Sequence, residues 1–75
     1  MRILLVEDDK RTSDYICKGL TEAGHVADLL SDGREALVQS LHEPYDVIVL
    51  DRLLPGLDGL SIVKSLRGAG IATPI

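Results

Sequence analysis

Two short apolar runs dominate the sequence, and each runs straight into acid. Ile3-Leu4-Leu5-Val6 is followed by Glu7-Asp8-Asp9, and Val47-Ile48-Val49-Leu50 by Asp51. Such runs are too short for helices, and their β-branched content suits strands buried on both faces. Between and after them the period changes. Thr12, Ile16, Leu20 and Ala23 recur at helical spacing, and Gly24 follows where a left-handed residue closes a helix. Val26 to Leu30 is a weaker strand. Asp32-Gly33-Arg34-Glu35 has the D-x-x-E form of a capping box and opens a second helix through Ala36, Leu37, Ser40 and Leu41, finished before Pro44. Leu53-Leu54-Pro55-Gly56 reads as loop. Asp58 caps a third helix with Leu60, Ile62, Val63, Leu66 and Ala69 as its buried set, and Gly68 and Gly70 stop it. Thr73-Pro74-Ile75 reads as the start of a fourth strand. The predicted order β-α-β-α-β-α-β(start) implies βαβ units with right-handed crossovers, the N-terminal part of an α/β doubly wound parallel sheet.

Size makes such a sheet marginal. For 8.1 kDa the surface-scaling rule gives roughly 4,500 Å² folded, with only about 60% of the unfolded chain's surface buried. No apolar run approaches a membrane span, and the opening MRILLVEDD, ending in acids, does not read as a signal peptide. One cysteine, Cys17, fits a reducing compartment, so the chain is read as cytoplasmic. A net charge of −4, with basic residues scattered, argues against direct nucleic-acid binding. Tyr15 and Tyr45, the only aromatics, make no stacking surface without a basic stripe. His25 and His42 read as solvated surface residues and Cys17 as an inert thiol.

A doubly wound sheet binds ligands beyond the carboxyl ends of its strands, where strand order reverses. With the first and third strands as neighbours, Glu7, Asp8 and Asp51 converge at that edge. Three carboxylates so close repel one another unless a cation is present. Magnesium fits, because it takes one or two carboxylates and keeps positions for water and phosphate oxygens. Asp8 or Asp9 could instead cap the first helix. Capping explains Asp51 less well, since a loop separates it from the next helix.

ILLVEDD followed by VIVLDRLLPGLDG, at this separation and in this βα order, resembles the receiver domain of bacterial two-component response regulators. DRLLPGLDGLSIVKSLR looks most like the subgroup whose receivers precede a winged-helix DNA-binding domain. The resemblance covers residues 1–75, read as the N-terminal portion of a flavodoxin-like receiver. It implies Asp51 as phosphoacceptor, Asp8 as direct magnesium ligand, Glu7 as the acid reaching the ion through water, and Leu53 as the donor of a backbone carbonyl. It also implies a histidine kinase as partner and DNA only through a separate effector domain. The family's hydroxyl on strand four and lysine on strand five have no counterpart here, since Lys64, the only lysine after Asp51, belongs to the third helix. What this sequence carries is the metal and nucleophile half.

Three functions compete. A phosphoacceptor module, not an enzyme, is the reading adopted. A magnesium-dependent aspartyl-phosphate hydrolase would want a second Asp two residues after the nucleophile, where Leu53 stands. A third reading is a non-signalling fragment that self-associates. The third strand would be an open apolar edge, so a homodimer or higher assembly is expected.

Overall fold

The computed structural model describes residues 1–51 and 54–75. Its elements alternate as the patterning requires: β1 (Arg2–Val6), α1 (Lys10–Glu22), β2 (Val26–Leu30), α2 (Gly33–His42), β3 (Val47–Leu50) and α3 (Gly59–Gly68). The three strands form one parallel sheet in the order β2-β1-β3. Leu4 lies between Asp28 and Ile48, and Val6 between Leu30 and Leu50. The first strand is therefore central, and strand order reverses beside it.

Alternation along β1 sends its side chains into two layers. Leu4 and Val6 join Ile48, Ala36 of α2, and Ile62 and Leu66 of α3 in the principal core, which Tyr45 closes. Ile3 and Leu5 face the other way and are equally buried. The accessible surface is 4708 Å², close to the roughly 4,500 Å² that the mass requires.

Several burial expectations change. The stripe that α1 turns inward is Ser13, Ile16, Cys17 and Leu20, an i, i+3, i+4, i+7 set, whereas Thr12 and Ala23 are exposed. A serine fits beneath the helix because its hydroxyl donates to the Lys10 carbonyl at 3.0 Å. In α3 only Ile62 and Leu66 of the expected set are fully buried; Leu60 and Ala69 are exposed. Nor is β3 covered on both faces. Ile48 is 2% exposed but Val49 is 40% exposed. The cause is lateral position: β1 has a strand on each side, while β3 forms an edge of the described sheet.

Along that edge runs a groove of about 650 Å³ lined by Val47, Val49, Leu60, Val63 and Ile75. Residues 74 and 75 lie against it. The Ile48 N–H donates to the Pro74 carbonyl at 2.9 Å, and the Arg67 guanidinium donates to the carbonyls of Ile71 and Thr73. Thr73-Pro74-Ile75 thus makes a first strand-like contact with β3 without forming a regular strand. No helix among the described residues is long and apolar enough to cross a membrane.

Candidate metal and phosphoacceptor site

The site is built by strand ends. Glu7 follows β1 directly, and its N–H donates to the Leu30 carbonyl at 3.0 Å. The Asp51 N–H donates to the Val6 carbonyl at 3.0 Å, and with Val6 paired to Leu50 the register brings Asp51 level with Glu7. Parallel pairing then puts both side chains at one edge. Glu7, Asp8 and Asp51 each present a carboxylate oxygen within 4.8 Å of the other two, with Glu7 and Asp51 half-buried and Asp8 exposed. Leu53, expected to contribute a carbonyl, lies outside the described residues.

Asp9 stands apart from these three. It occupies the N-cap of α1 in extended conformation, where its side chain accepts from the Thr12 hydroxyl. Its own N–H donates to a Glu7 carboxylate oxygen at 3.1 Å, which helps fix Glu7. Four acids near this edge therefore divide into three that converge and one that stands at the N-cap position of α1 without a side-chain bond to the helix backbone. The donor set suits magnesium: hard oxygens only, few carboxylates, and one face open for water or phosphate.

Asp58, across the loop, caps α3 by accepting the Ser61 N–H at 2.8 Å, and that bond holds its carboxyl below the usual carboxylate range. Gly56 supplies the turn between them with φ of +84°, a region closed to most side chains. Gly59 is simply the buried first residue of α3.

At the opposite, amino edge lies a cluster that sequence reasoning missed. The Arg2 guanidinium meets Asp28 and Glu43 at 3.2 Å each and stands 4.8 Å over the Tyr45 ring. The Tyr45 hydroxyl donates to Asp28 at 2.7 Å and accepts from Gln39 at 3.1 Å. That hydroxyl, with Arg2 second, holds the Asp28 carboxyl below its ordinary value. No local motif announces these contacts, because the partners come from four separate elements and loops. Of the histidines, His25 is partly exposed, with Nδ1 3.1 Å from the N-terminal amine. His42 is exposed and bonds the Val38 carbonyl.

A central β1 flanked by β2 and β3, with three carboxylates at its carboxyl end, is the geometry of a receiver. Residues 3–75 match the family described as response regulator receiver domain, and the chain belongs to that family. Among its relatives, the transcriptional activator IrlR of Burkholderia pseudomallei is 51% identical over 75 residues, covering 100% of this chain and 32% of the relative. The chain spans about a third of the length of the curated relatives it matches. The receiver domain of sensor histidine kinase PA1611 from Pseudomonas aeruginosa, solved with magnesium in its active-site cleft, superposes with a TM-score of 0.87 at 33% identity. That match covers 96% of this chain and 57% of the other. A chain in the Thermotoga maritima complex of histidine kinase ThkA with response regulator TrrA gives 0.82 at 33% identity, covering 89% and 58%. The fold is flavodoxin-like.

Proposed function

We propose that this chain is the phosphoacceptor part of a two-component transcriptional regulator, with Asp51 receiving a phosphoryl group from a histidine kinase. The observation that carries the reading is the convergence of Glu7, Asp8 and Asp51 at the carboxyl edge of β1 and β3. Kinship with transcriptional regulators supports output through a DNA-binding domain beyond these residues.

A carboxylate oxygen of Asp51 attacks phosphorus as the phosphorus–nitrogen bond to the kinase imidazole breaks, and the bonding pair returns to the ring nitrogen. The product is an acyl phosphate. The residues contribute alignment and little covalent chemistry, as is general for phosphoryl transfer. Asp8 and Asp51 would bind magnesium directly, Glu7 through water, and Leu53 by its carbonyl. When bound, the ion supplies charge compensation for carboxylate and phosphate. The Asp9 N–H holds Glu7 toward the site throughout. The chain accepts one group and hands on a change of charge and shape, so it is a signalling module and not an enzyme.

Intact mass before and after a small-molecule phosphodonor with magnesium tests this. A gain of one phosphoryl group that disappears in Asp51→Asn is the expected result, and labelling undiminished in that variant assigns the nucleophile elsewhere.

The groove along β3 favours a second partner of the same chemistry, another copy of this chain. Its apolar lining and the strand edge beside it suit pairing of β3 or α3 across a homodimer.

A further inference from the structure

Strand ends deliver the three carboxylates, but strand ends alone do not complete the site. Between Asp51 and Asp58, the cap of α3, the described residues 54–57 form no regular element. Leu54 and Leu57 anchor that crossing on the core. A second anchor comes from α2, which contributes none of the three carboxylates. The Gly33 N–H, at the first residue of α2, donates to the Pro55 carbonyl at 2.9 Å, and the Leu57 N–H donates to the same oxygen at 3.1 Å.

The approach leaves no room for a side chain. A Cβ on Gly33 would lie 1.8 Å from the Leu57 carbonyl oxygen, and one on Gly56 would lie 2.2 Å from Oδ1 of Asp32. The first obstruction is backbone, so the crossing itself would have to move. The second is a side chain already committed, since the Asp32 carboxylate caps α2 by accepting the Glu35 N–H at 3.2 Å. Gly19 and Gly68 differ in kind, for a Cβ there meets nothing within 4 Å.

We infer that Asp32 and Gly33 are positioning residues for the acidic site: the first turn of α2 clamps residues 54–57 and so fixes where the chain leaving Asp51 must arrive. The inference rests on the magnesium reading for one of its two readouts only. Groups that orient metal ligands from outside the coordination sphere commonly change affinity by about 10- to 100-fold when altered, and a main-chain clamp acts in the same way.

Gly33→Ala and Gly19→Ala are compared by amide NMR, first without metal and then across a magnesium chloride titration. Gly33→Ala should move the amide resonances of Asp51 and residues 54–58 without metal and weaken magnesium about tenfold, while Gly19→Ala does neither. Should Gly33→Ala not fold, Asp32→Ala, which removes the side-chain cap of that first turn, replaces it and should move the same resonances. Undisturbed Asp51 resonances and unchanged magnesium affinity, with only the melting temperature lowered, would overturn the clamp and leave a packing contact. A parent chain indifferent to magnesium, in which Gly33→Ala still moves Asp51, would remove the metal reading and leave the clamp standing.

Discussion

Arg2 and Tyr45 lie far apart in the sequence and share one acid, Asp28. Tyr45 is 8% exposed, and its hydroxyl both accepts from Gln39 and donates to Asp28. Tyr45→Phe leaves the ring under Arg2 but removes a donor from a carboxylate, a loss of about 1–1.5 kcal/mol for a bond to a partly exposed charged group. Urea unfolding at neutral pH should show that loss with an unchanged m-value. Asp28 supplies a second expectation. Its folded-state pKa is depressed below 3.8, first by the Tyr45 hydroxyl and then by Arg2. A depressed carboxyl stabilises fully above its unfolded value, and that contribution is withdrawn as the pH falls through the folded one. Stability should therefore decline below pH 3.8, and Asp28→Asn should flatten the decline while lowering stability at neutral pH. An unaltered slope in that variant would place the acid sensitivity on Asp58, which is depressed in the same direction.

Among the elements, α3 separates packing from apolar composition most clearly. Leu66 is 0% exposed and Leu60 is 65% exposed, though both belong to the set expected inside. Leu66→Ala should cost about 2–5 kcal/mol by deletion and cavity formation, enough to unfold much of so small a chain. Leu60→Ser should stay within about 0.5 kcal/mol. Thermal melts of the two variants check the contrast. The same helix shows how far the sequence could be read. Element types and order followed from period and caps: Asp32 and Asp58 cap α2 and α3 through their side chains, and Gly24 follows α1 with φ of +90°. The convergence of Glu7, Asp8 and Asp51 followed from parallel topology alone. What periodicity could not supply was lateral coverage, because it marks an apolar face without saying which part a neighbour reaches. That is why Leu60 and Val49 were expected inside. The weak pattern of Val26–Leu30 has the converse cause: β2 gains order from its register with β1 while one edge stays open. The amino-edge cluster and the contact of Gly33 with Pro55 depend on tertiary proximity, which spacing does not encode.

At the scale of the molecule, exposure along β3 does not come from loose folding. The radius of gyration is 11.6 Å, against roughly 11 Å for a compact domain of this length. The groove is a property of a tight fold with an open side, and that side drives the expected self-association. Sedimentation equilibrium at micromolar concentration should give a mass above 8.1 kDa, and Val49→Lys should return the chain to monomer by placing charge on the edge. A parent chain that stays monomeric would show that the contact of Ile48 with Pro74 suffices to protect it. The central place of β1 has another consequence, which concerns time. The strand Arg2–Val6 needs partners on both sides, and the later partner, Val47–Leu50, is made about 40 residues after it. At elongation rates of about 5–20 residues per second, the apolar run of β1 waits roughly 2–9 s for it. Through that interval Ile3, Leu4, Leu5 and Val6 are the segment most open to capture by a chaperone or a neighbouring nascent chain.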